Sequence, residues 1–266
     1  MPIITVSRGT YSGGLAVATK LAQRLGYQCI SREDVIATAA CEFNIPEVKL
    51  LGAVNDPPSI LDRFTYGKER YVAYVQAALL EHFQLDNVVY HGMAGHFFVR
   101  DVSHVLKVRV VSPMEDRVKL IMQRERVSEE YALHFIKGID ESRRKWSLHL
   151  YGIDTHDPTL YDLVVRKKKL TIDDCVEIIS NTVALDRFQP TPQSQQEVID
   201  LALAARIKVS LIQRHPRVQV AAQNRSVFIT LEGATPRDEQ DIHDTAQKIP
   251  GIRTITISPL PVLTAE

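Results

Sequence analysis

The chain has 266 residues, 45% of them hydrophobic and 24% charged, which excludes a disordered or collagen-like polypeptide and predicts one large domain or one medium and one small. Thirty-two Lys and Arg balance 32 Asp and Glu, so neither a nucleic-acid coat nor an acidic tail is indicated, and a polyanion would need a local patch. No basic segment leads into an apolar core at the start, and no run approaches the roughly 20 apolar residues of a membrane span, so a cytoplasmic location is expected.

Ile3 to Ser7 is a short β-branched run that predicts the first strand. SRGTYSGGLA follows, then an amphipathic helix from Gly14 to Leu25 that stops at Gly26, a residue suited to a left-handed C-cap. Between such a strand and helix, backbone N–H groups can surround a phosphate. A full phosphate loop reads GxxxxGK[ST]. Gly9 and Gly14 have the glycine spacing, but Leu15 and Ala16 stand where Lys and Ser/Thr belong. In the frame that matches Ser12-Gly13, Gly14 takes the Lys position. Neither frame supplies an ammonium, and tight turns also use glycine, so phosphate binding and a structural turn both stay open here.

Cys29, Cys41 and Cys175 are odd in number and widely spaced, which fits reduced packing residues better than a disulfide or zinc framework. Tyr66, Tyr71 and Tyr74 recur at helical spacing and suit a core or stacking on a base. Buried strands are predicted at Asn87–His91 and His104–Val111. His91 and His96 flank Gly92 and Gly95 near a strand end where open sheets bind ligands, but no metal-ligand spacing accompanies them. They are read as satisfied structural histidines, and no metal residues are assigned.

Ser112-Pro113-Met114-Glu115 reads as a capping box that opens a helix to about Arg124. Another helix runs from Ser128 to Leu148, with Asp140 expected to pair with Arg144 at i, i+4. Arg166 to Lys169 is a basic run read as a solvated turn, and Thr171-Ile172-Asp173-Asp174 opens a further helix. The uncharged, proline-bearing segment 188–196 reads as a linker between a first domain, 1–187, and a second, 197–266. A helix from Gln195 to Gln213 comes next, then strands at Val218–Ala221 and Ser226–Leu231 with Asn224 in their turn. A helix capped at Thr235 and a strand over Ile252–Ile257 complete the order.

The opening ITVSRGTYSGGLAVATKLAQRLGYQCISREDVI resembles the cytidylate kinase-like family, whose members read like ITISR, a GSGG loop, a helix and a YYDRELI-type segment. VVYHGMAG, VLKVRVVSPMEDRVKLIMQRE, VSEEYALHFIKGIDESRRKW and YGIDTHDPTLYDLVV follow in the family's order, so the likeness covers roughly residues 1 to 185. It implies an α/β fold, a P-loop kinase-like parallel sheet flanked by helices, that uses ATP and Mg2+ to phosphorylate a nucleoside monophosphate. Arg8, Gly9, Thr10, Tyr11, Ser12, Gly13 and Gly14 would then bind the donor phosphates. Arg124, Arg126, Arg143 and Arg144 would form a catalytic lid, and Arg32, Arg63, Arg70 and Gly92 would serve the acceptor, in the stretch that includes Asp56-Pro57-Pro58 and Lys68.

The family commonly has Gly-Gly where other P-loops place Lys. Other departures belong to this chain: Tyr11 replaces a loop glycine, Ser31 an acidic residue, Gly92 the arginine of a GRG-type turn, and Arg166-Lys167-Lys168-Lys169 an Asn-Thr-Ser-like strand end. Tyr11 is expected to crowd the phosphate pocket. These departures leave a nucleotide sensor or scaffold as the alternative to an enzyme. Residues from about 195 to 262 resemble a BON domain, a small α+β module of order helix-strand-strand-helix-strand, through SVFITLEGATP and PGIRTITI. The likeness implies a protein or phospholipid partner. Protein is preferred because neither a basic face nor an exposed apolar helix is in view, with a homo-oligomer as another option.

Overall fold

The computed structural model describes residues 1–55, 67–92 and 94–260. Parallel strands β1 (Ile3–Arg8), β2 (Gln28–Ser31), β3 (Val88–His91), β4 (Val105–Val111) and β5 (Leu163–Arg166) form one sheet in the order β2-β3-β1-β4-β5. The three central strands are largely buried because helices cover both faces. Their registers place Ile3 beside Val88 and Val105, so their C-terminal ends emerge together. The chain leaves β1 toward β2 and β3 on one side and later crosses to β4 on the other. The end of β1 is therefore the switch point where an open α/β sheet leaves a crevice.

Helices α1 (Gly14–Leu25), α2 (Arg32–Phe43), α3 (Glu47–Asn55), α4 (Gly67–Phe83), the single turn α5 (Gly95–Phe98), α6 (Met114–Glu125), α7 (Glu129–Tyr151) and α8 (Ile172–Val183) surround the sheet. Val17 and Leu21 of α1 pack with Ile179 of α8 over Ile4, Val6 and Leu106. On the opposite face Ile36, Leu79, Phe83 and Trp146 pack against Ile3 and Tyr90. Tyr74 is buried in this second core and Tyr71 rests against it, so both have the core role; Tyr66 and Arg63 lie outside the described residues.

Local chemistry sets the ends of these helices. Gly26 takes φ 69° at the C-cap of α1 and bonds back to the Ala22 and Gln23 carbonyls. Ser31 caps α2 in a reciprocal box with Asp34, and Thr171 does the same for α8 with Asp174. The box expected at Ser112–Glu115 is absent: Pro113 is the N-cap of α6, and the Ser112 hydroxyl instead donates to the Lys167 carbonyl at 3.0 Å. Cys175 is buried, but Cys41 is exposed and does not pack as expected.

The segment expected as a linker is mostly ordered. A 3-10 turn (Asp186–Phe188) buries Phe188, and α9 (Pro192–Leu211) begins after only 189–191. Pro192 occupies the first helical turn, where its missing N–H is not needed, so here proline marks a helix start. Val198, Ala202, Ala205 and Val209 of α9 join the core beneath α4, while Leu203, Ile207 and Leu211 join a separate core. That second core is closed by β6 (Gln219–Gln223), β7 (Ser226–Glu232), α10 (Pro236–Ala246) and β8 (Thr254–Leu260). The three strands form a mixed sheet, antiparallel between β6 and β7 and parallel between β7 and β8. Asn224 and Arg225 turn the β6–β7 hairpin with positive φ at both positions, and buried Asp200 of α9 accepts from both their N–H groups at 2.6 and 2.9 Å. Thr235 and Asp238 cap α10 reciprocally. No described helix is long and apolar enough to cross a membrane.

Candidate functional site

The loop from Gly9 to Gly13 leaves β1 at the crevice and enters α1 directly. Gly13 is the N-cap at φ 88°, a backbone angle that favours glycine, and no side chain caps the helix. The first N–H groups of α1 are therefore left for another acceptor. Beside them the Ser12 hydroxyl is buried without a hydrogen-bond partner, although Ser12 borders a cavity.

Three side chains fix Thr10. The Asp140 carboxylate of α7 accepts from its N–H at 3.1 Å, Arg117 Nε of α6 donates to its carbonyl at 2.6 Å, and Arg143 Nη1 donates to its hydroxyl at 3.0 Å. Arg117 also donates to Asp140 at 2.6 Å, so Asp140 pairs with Arg117 and not with Arg144 as expected. The reason is reach. Arg144 turns away to hold Asp154 with two nitrogens, which brings that carboxyl down to about 2. Arg117 was absent from the sequence reading. Its one signal was a charge four residues before Ile121, on the buried side of α6.

Arg8 takes an unusual course. A Cβ built on Gly14 would lie 2.6 Å from Arg8 Cβ and 2.9 Å from its Cδ, so the arginine stem runs across the position at which one loop frame has lysine. Arg8 Nε is buried without a partner, and burial lowers the guanidinium pKa, with Glu33 opposing. Burial likewise pushes Arg143 down to about 10, and the charges of Arg8 and Arg32 add to the effect while Asp140 opposes it. Arg32 pairs with Glu33 at 2.6 Å and shares a small pocket with Arg8, Gly92 and Arg143. Guanidinium groups thus converge here despite mutual repulsion, the electrostatic signature of an anion site.

Two spaces open from the loop. An inner cavity of about 110 Å³ is bordered by Arg8, Ser12, His96, Arg109, Arg117 and Arg143. An outer groove of about 710 Å³ is bordered by Thr10, Tyr11, Gly13, Lys20, Arg124 and Arg143. Arg8 also borders the groove, so it and Arg143 belong to both. Tyr11 borders the outer groove, where it was expected to crowd the phosphates, but not the inner cavity. Its backbone has φ 58°, and its side chain packs beside Val118, Ile121, Ala132 and Ile136 between α6 and α7.

The remaining expected residues are dispersed. Arg124 is exposed at the rim of the groove, and Arg126 is exposed at the left-handed C-cap of α6 and borders neither space. Arg70 lies over the Tyr71 ring, 5.2 Å from its centroid, and also borders neither. At Gly92 any Cβ would overlap the Tyr90 hydroxyl, so an arginine is sterically excluded there. His91 Nδ1 and His96 Nε2 are buried without partners, contrary to the expectation that both are satisfied. The His96 ring lies tilted against Tyr161 with centroids 4.9 Å apart, and burial pushes it down to about 3, helped by Arg109 and Lys107.

The buried Ser12 hydroxyl, the uncapped N–H groups and the arginines fit the phosphates of a nucleotide. Magnesium fits less well. Leu15, 51% exposed, or Ala16, depending on the loop frame, stands where a P-loop hydroxyl would hold it, and no group of three His, Cys, Asp or Glu among the described residues is placed for a metal.

Comparison with known proteins agrees with the fold. The chain is 28% identical over 185 residues to the cytidylate kinase of Sulfolobus acidocaldarius, covering 68% of this chain and 93% of that one. It is 26% identical over 195 residues to the cytidylate kinase of Thermococcus kodakarensis, covering 73% and 93%. A crystal structure of an uncharacterised protein from Eubacterium ventriosum superposes with a TM-score of 0.52 at 20% identity, covering 69% of this chain and 98% of that one. The model of the cytidylate kinase-like family matches residues 3–169, the whole five-stranded sheet with its glycine loop, and the chain belongs to that family.

Proposed function

We propose that this protein is a nucleoside monophosphate kinase that moves the γ-phosphoryl group of ATP to a cytidylate-type acceptor. The observation that carries the reading is the meeting of Arg8, Arg32 and Arg143 in one small pocket beside a glycine loop whose helix has no side-chain cap. The outer groove is the donor side and the inner cavity the acceptor side; Arg8 and Arg143 border both, where the transferred group would pass. An acceptor phosphate oxygen attacks the γ-phosphorus, the bond from that phosphorus to the bridging oxygen of ADP breaks, and ADP leaves with the electron pair. Negative charge spread over the transferred oxygens is met by the two guanidiniums and the α1 N–H groups. The attacking phosphate carries no proton, so neither His91 nor His96 is given a role in proton transfer.

Arg117 and Asp140 act one step away by holding Thr10 and hence the loop. Arg124, at the groove rim, is the lid cation of this reading. Arg126, Arg144 and Arg70 receive no phosphate role, and no residue is assigned to magnesium. The C-terminal elements are read as a BON-like module for protein contact, supported by their order and by their giving no side chain to either cavity. The division at 187 and 197 and the cytoplasmic location stay with this reading, with α9 serving both parts.

A coupled ATP assay with CMP, dCMP, UMP and AMP as acceptors tests the proposal. Turnover with a pyrimidine acceptor is expected, and no turnover with any of the four rejects the enzyme. The lack of a magnesium-binding hydroxyl in either loop frame, with Leu15 and Ala16 at those positions, favours one second reading, a sensor, for which ATP would raise the melting temperature without turnover.

A further inference from the structure

We propose that Lys167, carried by the turn after β5, is the ammonium that holds the donor nucleotide's phosphates at the glycine loop, doing from outside the loop what its missing lysine would do from within. The inference rests on the kinase reading above and deepens it.

The basic run is divided by its surroundings. Arg166, Lys168 and Lys169 are exposed, whereas Lys167 is half-buried. Its backbone is tied to the end of β4, the neighbour of β1: its N–H donates to the Val111 carbonyl at 2.8 Å, and its carbonyl accepts from the Ser112 hydroxyl at 3.0 Å. From that anchored turn the side chain lies over the loop. A Cβ built on Gly13 would be 3.1 Å from both Cε and Nζ of Lys167, and 3.2 Å from Cδ.

No carboxylate among the described residues pairs with this ammonium. A lysine with no partner gains little from giving up its rotamer freedom against a glycine; an anion seated there would supply the missing attraction. Two donors point to the same place, the uncapped N–H groups of α1 and Arg8, which crosses Gly14 next door and borders the outer groove; the buried unpartnered Ser12 hydroxyl stands one residue before Gly13, on the side of the inner cavity. Lysine binds phosphate as a flexible point charge, so it needs only a reachable position and not a fixed fork. Glycine at 13 then has a second use besides its backbone angle, since any side chain there would displace the ammonium.

The test uses the full chain and calorimetric titration with ATP, inorganic tripolyphosphate and CMP as separate ligands. Lys167→Met is expected to weaken ATP and tripolyphosphate about tenfold, the loss typical of one charge-assisted contact. CMP affinity should stay within about twofold, Lys167→Arg should recover most of the ATP affinity, and Lys168→Met, which alters the same run at an exposed position, should match the unmodified chain. Unaltered ATP and tripolyphosphate binding by Lys167→Met overturns the assignment, as does an equal loss in Lys168→Met, which would signal only a diffuse field. An unmodified chain that binds neither ATP nor CMP sinks the kinase reading itself, a result distinct from failure at Lys167 alone. The urea midpoint of each variant separates a lost contact from a lost fold.

Discussion

Arg143 makes one hydrogen bond to the loop and borders both spaces, so its removal should act on the reaction more than on the fold. Arg143→Ala is expected to lower kcat about 10³-fold in the coupled assay, whereas Arg126→Ala, altered at an exposed cap, should stay within about twofold. His96 governs a different observable. Its folded pKa of about 3 lies below its ordinary 6.5, so the unfolded chain binds the extra proton between those values. Its contribution to stability is complete above pH 6.5 and falls as pH drops toward 3, by about 2 kcal/mol between pH 6.5 and 5. Burial moves His91 and His104 the same way, while the capping carboxylates Asp34 and Asp174 lose their contribution only at more acid pH. Urea midpoints from pH 7 to 5 should fall for the native chain and flatten in His96→Gln; an equal slope in both would exclude His96 as the source. Residues adjacent in sequence were legible in advance: Arg8, Ser12, Gly13 and Gly14 stand together in the loop. The grip on Thr10 was not, because Asp140 and Arg117 lie 130 and 107 positions away and no local pattern joins them. Lys167 was hidden likewise within a run whose other members do face water.

At the level of elements, the strands covered on both faces were readable. β1, β3 and β4 carry apolar side chains on successive buried residues, whereas the edge strands β2 and β5 mix exposed and buried positions, and the one apolar run there, Leu163-Val164-Val165, is short and partly exposed. Helix α2 also escaped notice, although Ser31 and Asp34 have the capping spacing that identified α8 and α10. Proline misled in one place and helped in another: Pro192 opens α9 within the expected linker, and Pro236 opens α10 as read. The β6–β7 hairpin depends on α9 through Asp200, which also accepts from Gln196 at 2.9 Å. Asp200→Ala leaves two turn N–H groups without their acceptor and should destabilise the chain by about 1–3 kcal/mol in urea. Asp200→Asn, which retains one acceptor oxygen, should lose less; equal losses would show that the turn N–H groups do not depend on this carboxylate.

On the scale of the molecule, α9 has apolar side chains in two cores at once. Polar contacts reinforce the join: Arg206 of α9 reaches Glu42 and Glu81, Gln213 donates to the Tyr74 hydroxyl at 3.0 Å, and Gln195 donates to Asp86 at 2.9 Å. Loss of either core would leave α9 half-solvated, so the chain is expected to melt in a single transition with equal calorimetric and van't Hoff enthalpies. Two resolved peaks would show that the cores are energetically separate. The sharing of α9 also bears on truncation. The five-stranded sheet and its helices cannot simply shed the C-terminal elements, because deletion would expose the apolar side of α4 that α9 covers. A shortened chain would stand alone only with polar side chains placed along that side of α4, so the two cores are separable by redesign and not by a cut.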